Sequence, residues 1–308
     1  MKLGLLTAPL PSVPLLEIAD WASAQGFEML EVCCWPKSAG ANRRYAGITH
    51  IEVEDISQGK CDEIVGELKK RKITMSALGY YPNNLHPDPA HRKEVNDHTK
   101  KVIRAAGMMG IPVVSTFIGA DANKTQEDNW EEAKKVWKDI VKYAEDNNVK
   151  IAIENCPMIF SKDEWPGGHN LAFSPKIWRE MFDFFGPTVG LNLDPSHLIW
   201  QMIDVDRVIR EFGSRVYHTH VKDMEIDREG LYNNGVMTKG IGWQRPRLPG
   251  YGEVNWARFV SGLSQVGYDY VLCIEHEDRR FEGTDDLVKQ GFLIARNQIA
   301  ALLPMTIR

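Results

Sequence analysis

Four short apolar runs in this chain each end on a residue type that can hold a metal ion or move a proton. Ile151-Ala-Ile-Glu154-Asn155 ends on an acid. Val189-Gly-Leu-Asn192-Leu-Asp194-Pro-Ser-His197 ends on an acid followed by a histidine. Arg215-Val-Tyr-His218-Thr-His220-Val-Lys222-Asp223 alternates apolar and ligand-type residues, and Tyr270-Val-Leu-Cys-Ile-Glu275-His276-Glu277-Asp278 repeats the first pattern. Runs of this length and β-branched content read as buried strands. A charge at the end of a buried strand costs free energy unless something pairs with it. One divalent cation shared by Glu154, Asp194, His220 and Glu275 would pair with all four. Three carboxylates and an imidazole form an oxygen-rich set suited to Mn²⁺, Mg²⁺ or Co²⁺, with Zn²⁺ also compatible.

The elements that must position these residues alternate strand and helix eight times. Strands are expected at 2–7, 27–34, 73–80, 112–118, 149–154, 188–194, 215–221 and 268–275. Helices are expected at 15–25, 61–72, 91–109, 129–147, 174–185, 205–212, from Asn255 onward, and at 285–303. Eight βα units without an obvious linker predict a single (β/α)8 TIM barrel spanning 1–308, in which catalytic groups gather at the C-terminal strand ends. A doubly wound open sheet is the alternative, but the Gly-rich phosphate turn after its first strand is missing. The connection 224–253 is longer than most and reads as a lid or an interface. Its aromatics Tyr232, Trp243 and Tyr251 look exposed and could make a homo-oligomer contact.

Composition narrows the function classes. The chain has 308 residues, 43% hydrophobic and 26% charged, as in a soluble globular protein with a full-sized core. A net charge of −5 argues against a nucleic-acid surface. Five scattered cysteines without metal-type spacing read as reduced, buried thiols. Prolines interrupt the apolar start and Glu17 and Asp20 follow, so no signal peptide is expected. No apolar run reaches membrane-span length. A cytoplasmic location is the expectation.

Taken singly, each of the four acids and histidines reads equally as a helix cap or an ion-pair partner. Their matching positions at four consecutive strand ends favour one shared site. His218 lies on the same strand face as His220 and reads as a packed, hydrogen-bonded neighbour. His197, in the loop beyond Asp194, could cap the following helix, but it is also placed to reach over the ion and touch a substrate. Lys222, where the seventh strand opens into its loop, is a candidate substrate contact, and Asp223 reads as a group that orients a histidine or as a solvated acid. His86 and Trp35, after the third and second strands, could line a sugar-sized pocket or pack ordinary loops. His276, Glu277 and Asp278 more readily supply a supporting group than a further ligand.

The segments IENCPM, LDPSHLIW, HTHVKD, RLPGYGEVNW and IEHED resemble those of the xylose isomerase-like family of sugar phosphate isomerases and epimerases. The similarity runs over essentially the whole chain. It implies one divalent ion held at the barrel mouth by Glu154, Asp194, His220 and Glu275, with His197 as a substrate contact. Gly250, Gly252 and Trp256 match the family's Gly-x-Gly-x-x-x-Trp loop. Members acting on ketoses often carry Glu and Arg where this chain has Lys222 and Asp223, so substrate identity does not transfer.

The chemistry expected of such a site is proton abstraction beside a carbonyl polarised by the ion, giving an enediolate. Glu154 and Glu275 are the expected bases, each also a ligand. Reprotonation gives epimerisation or aldose–ketose isomerisation, on an unphosphorylated sugar because no cationic phosphate cradle is visible. Loss of a β-leaving group, for example from a 3-keto-glycoside, would instead make the chain a lyase or hydratase. An endonuclease IV-type enzyme would need several zinc ions and a basic groove. A non-catalytic, metal-stabilised binding module would leave the two flanking glutamates unexplained.

Overall fold

The apolar runs pair in parallel and close on themselves. The computed structural model describes residues 1–37, 45–158, 168–236 and 242–303. Its strands are β1 (Lys2–Leu6), β2 (Met29–Cys33), β3 (Thr74–Gly79), β4 (Val113–Thr116), β5 (Lys150–Glu154), β6 (Val189–Leu193), β7 (Val216–Val221), a short antiparallel pair β8 (Asp223–Ile226) and β9 (Gln244–Arg247), and β10 (Val271–Ile274). The barrel order is β1-β10-β7-β6-β5-β4-β3-β2, with β1 bonded to both β10 and β2. Every residue of β2, β4, β6 and β10 is buried, which is why these runs lack polar alternation.

Ten helices are described: α1 (Leu15–Ala24), α2 (Gln58–Lys70), α3 (Pro89–Met109), α4 (Gln126–Asp146), α5 (Pro175–Phe185), α6 (Pro195–Trp200), α7 (Val205–Phe212), α8 (Arg228–Asn234), α9 (Trp256–Gln265) and α10 (Asp285–Ala300). Their starts follow their caps. Asp88 accepts hydrogen bonds from the Ala90 and His91 amides and Pro89 takes the first helical position of α3. Thr125 accepts from the Asp128 amide, so α4 opens three residues before the expected Asn129. The layer between helices and barrel is filled by large side chains such as Trp137, Trp178, Phe259 and Phe292. Trp137 and Trp178 donate their indole N–H to the carbonyls of Ile118 and Ala172, which lets these rings be buried without an unpaired donor.

Register places the four ligand-type residues side by side. Glu154 pairs with Asn192, Asn192 with His218, and Cys273 with His220. Asp194 lies two residues beyond Asn192, and Glu275 two beyond Cys273. With a side-chain period of two, β5, β6, β7 and β10 therefore present these groups from four consecutive staves at one end of the barrel.

Two connections differ from expectation. The stretch after Asp194 is not a loop but α6: Pro195 occupies the first helical position, and Asp194 Oδ1 accepts from the Ser196 amide at 2.8 Å. The long connection after β7 contains the β8–β9 ribbon and α8, with Glu225 paired to Arg247 across the ribbon at 2.5 Å. Residues 237–241 of it lie outside the described residues. Trp243, expected to be exposed, is buried against Met224 and Ile226, whereas Tyr232 is 85% exposed. All five cysteines are free and buried. Among the described residues, no helix is long and apolar enough to cross a membrane.

Candidate metal centre

Glu154 closes β5, Asp194 caps α6 just past β6, His220 is the penultimate residue of β7, and Glu275 follows β10. Their ligating atoms all lie within 4.8 Å of one another. His220 Nδ1 is 3.1 Å from Glu275 Oε2 and 3.8 Å from Glu154 Oε2. Asp194 and His220 are fully buried, and neither Asp194 Oδ2 nor His220 Nδ1 has a well-directed hydrogen-bond partner. Buried polar atoms left in this way are costly. A bound cation would satisfy both, so the donor set fits a divalent ion.

The cluster is held from beneath. Asn155 donates to the Asp194 carbonyl at 2.9 Å and accepts from the Asp194 amide at 2.7 Å, which locks the end of β5 to the end of β6. Asn170 donates to the carbonyls of Glu154 and Cys156 at 2.8 and 2.7 Å, fixing the chain on either side of Asn155.

The main supporting residue was not legible in the sequence. Glu31, fully buried on β2, places Oε2 2.8 Å from His220 Nε2. Tyr81 donates to its other oxygen, and Asn192 donates to the Tyr81 hydroxyl at 3.1 Å. Burial would raise the Glu31 carboxyl, but His220, His218 and the bonds from His220 and Tyr81 hold it below the usual range. An ionised Glu31 can only accept, so His220 Nε2 carries a hydrogen toward it. Burial would lower the imidazole, but Glu275, Glu31 and Glu154 hold it well above its usual range. Nδ1, facing Glu275 and Glu154, is the nitrogen that would ligate an ion once its proton leaves. A carboxylate behind a ligating histidine fixes its tautomer and raises its basicity. Its only local signal is one acid inside the otherwise apolar run Met29-Leu-Glu-Val-Cys33. Glu31→Gln is expected to weaken Mn²⁺ binding by about 10–100-fold, read by calorimetric titration. Unchanged affinity would show that Glu31 does not set the tautomer.

The other residues singled out in the sequence fall into three groups. His218 is a packed neighbour, with Nδ1 3.1 Å from Asn192 Oδ1 and Nε2 3.0 Å from Ser76 Oγ. Burial pushes its pKa down to about 4, leaving it neutral. His197 does not reach over the site as expected. Carried inward by α6 and almost fully buried, it places Nε2 3.3 Å from Asp194 Oδ2 and 3.5 Å from Glu154 Oε1. Its Nδ1 accepts from Trp200 Nε1 at 3.3 Å, so Nε2 carries the hydrogen and donates toward the two carboxylates.

Asp223 does not orient a histidine. Strand alternation turns it away from the face shared by His220 and Lys222. It accepts instead from the amides of Met224, Gly250 and Val254 and from Trp256 Nε1, all between 2.8 and 2.9 Å. The Gly-x-Gly-x-x-x-Trp spacing thus wraps a loop around one carboxylate. Gly250 adopts φ +88°, and a Cβ on Gly252 would lie 2.4 Å from Asp223 Oδ1. Of the two readings of His86, the structure takes loop packing: its ring packs edge-on to His91 and its Nδ1 accepts from the Asp88 amide, and it is not among the described residues lining the cavity.

Trp35 and Lys222 do line the cavity at the barrel mouth, together with Glu154 and Glu275. Phe117 and Met158 add apolar wall, and Glu277 a further acid. Lys222 is the sole cationic side chain among the described lining residues.

A family model described as xylose isomerase-like TIM barrel matches residues 19–298. The chain belongs to the xylose isomerase-like TIM barrel family. Within reach of this family assignment, the uncharacterized protein YfiH of Bacillus subtilis (strain 168) is 29% identical over 311 residues, covering 90% of this chain and 93% of its own. A D-psicose 3-epimerase from Clostridium cellulolyticum H10, solved with D-tagatose, superposes with a TM-score of 0.70 at 16% identity, covering 98% of this chain and 99% of its own. The IolI protein, solved with a bound zinc atom, gives 0.70 at 16% identity over 99% of this chain and 100% of its own. The probable 3-DHS dehydratase AsbF from Bacillus anthracis gives 0.69 at 14% identity, with the same coverage. At these identities the structural likeness is one of fold.

Proposed function

We propose that the chain is a divalent-metal-dependent sugar isomerase or epimerase that removes a proton beside a carbonyl of an unphosphorylated sugar or sugar derivative. The observation that carries this reading is the convergence of Glu154, Asp194, His220 and Glu275 at the barrel mouth, their ligand atoms within 4.8 Å of one another and Asp194 Oδ2 and His220 Nδ1 without a well-directed hydrogen bond. Membership of a family that includes such enzymes supports it. A divalent ion, when bound, supplies Lewis acidity that polarises a carbonyl and acidifies the neighbouring C–H.

The remaining work falls to the side chains. Burial would raise the Glu275 carboxyl, but Lys222 and His220 hold it down to about 2. Glu154 is likewise held low against its burial, by His197, His220 and Lys222. Both acids are therefore ionised at neutral pH, as a base must be. Both line the cavity, so a substrate there meets a carboxylate from β5 and another from the far side of the cluster at β10. Trp35, Phe117 and Met158 offer apolar wall to the C–H face of a sugar. Among the described lining residues Lys222 is the sole cation, which supports an unphosphorylated substrate.

Elimination shares the first step and is the second reading. The Lys222 ammonium at the cavity supplies a proton donor that a departing β-oxygen would need. The test is incubation of the Mn²⁺-loaded protein with a panel of ketoses and 3-keto-glycosides in D₂O. An isomerase or epimerase incorporates solvent deuterium at the reacting carbon of its product. Release of the leaving group would favour the lyase. Metal-independent turnover, or exchange in neither class, would overturn the reading.

A further inference from the structure

The cluster of acids at the barrel mouth already contains a cation of its own. Lys222 Nζ lies 2.7 Å from Glu275 Oε2, 3.0 Å from Asp194 Oδ2 and 3.2 Å from Glu277 Oε2, and the side chain is 3% exposed. Glu275 and Asp194 belong to the four-residue set, and Glu277 does not. Like charges this close cannot all remain ionised in a buried site without positive charge among them. The lysine meets that need in the metal-free chain. A divalent ion would meet it through the same carboxylates, and the ammonium among them would repel it across a buried site.

Glu277 stands on the outer side of this arrangement. It lines the cavity, and its side chain is 18% exposed where that of Asp194 is fully buried. A lysine carries its ammonium on a flexible four-carbon stem, so a small change of rotamer can trade Asp194 and Glu275 for Glu277.

Resting on the reading of Glu154, Asp194, His220 and Glu275 as a divalent-ion site, we propose that Lys222 is an internal competitor of that ion. Its ammonium holds Asp194 and Glu275 together in the metal-free protein, and ion entry moves it toward Glu277 and the cavity. Two consequences follow from linkage: the lysine weakens ion affinity, and it stabilises the ion-free state. Ion loading also brings a proton donor to the substrate side, so the two events are coupled through one side chain. Lys222 acts in this as a positioning residue.

The test titrates Mn²⁺ alone into chelator-treated full-length chain, by calorimetry, and follows thermal melts with and without Mn²⁺. Lys222→Met is expected to bind Mn²⁺ at least about tenfold more tightly than wild type, and its metal-free form to melt at a lower temperature. Glu277→Gln is expected to weaken Mn²⁺ binding by removing the carboxylate that receives the displaced ammonium. That weakening should largely vanish in the Lys222→Met background, whereas simple loss of negative charge would weaken both backgrounds alike. Binding by Lys222→Met and none by wild type would support the competition in its strongest form. Equal or weaker binding by a folded Lys222→Met overturns it while leaving the metal site standing. Should that variant fail to fold, Lys222→Gln takes its place, and unchanged or tighter binding by Glu277→Gln overturns the proposal. If wild type and lysine variant both fold and neither binds Mn²⁺, the reading of the four residues as an ion site falls, and the competition with it.

Discussion

Glu275→Gln is expected to lower kcat by about 10²–10⁴-fold, the usual contribution of a positioned base. Glutamine is nearly the same size and keeps an oxygen near Lys222 and His220, so the barrel mouth should stay folded. It is a far weaker base, and it removes one of three negative charges from the cluster. The variant therefore loses proton transfer and some metal affinity together. Assays at saturating Mn²⁺, with metal content measured on the same sample, separate the two effects. Solvent-deuterium incorporation should fall in parallel with turnover if Glu275 takes the proton. Glu154→Gln is the companion experiment, because the two acids approach the cavity from different staves. A one-base reaction would show a large loss in only one of them. Full exchange in both variants would require another base and leave these acids as ligands alone.

Asp194→Ala is expected to empty the metal centre. Asp194 is fully buried, and its Oδ2 faces the cluster while Oδ1 caps α6 through the Ser196 amide. Alanine removes both functions. The cap alone costs about 1 kcal/mol, which the barrel can absorb, while metal content after exhaustive dialysis should fall from about one ion per chain to near zero. Asp194→Asn separates the roles: its amide oxygen can still cap α6, but the formal charge at the ligand position is gone. Both variants are analysed for metal beside wild type, with melts to follow the fold. Equal metal content in all three would remove the proposed centre.

The two experiments probe residues whose placement was legible for a simple reason. Each of Glu154, Asp194, His220 and Glu275 sits where an apolar run stops, and a buried strand that ends on a ligand type leaves a local mark in the chain. The barrel was legible for the same reason, since eight apolar runs of strand length alternated with amphipathic segments. Element ends moved by a few residues, because caps such as Thr125 and Asp194 start helices earlier than the hydrophobic period shows.

What surrounds the four residues was decided by closure of the barrel. Glu31 and His220 are 189 positions apart, on strands that are not neighbours in the sheet, and meet across the interior. No spacing along the chain records that meeting, because it depends on which staves face each other once the sheet is closed. The short α6 turned His197 inward onto Asp194 and Glu154, and side-chain alternation at the end of β7 sent Lys222 into the cluster and Asp223 into a loop. Local hydrophobic pattern thus determined the strands and the kinds of group at their ends, since burial acts on each run separately. The tautomer of His220, the support beneath the acids and the lysine among them required the tertiary structure, since each depends on distances between segments that only the closed barrel brings together.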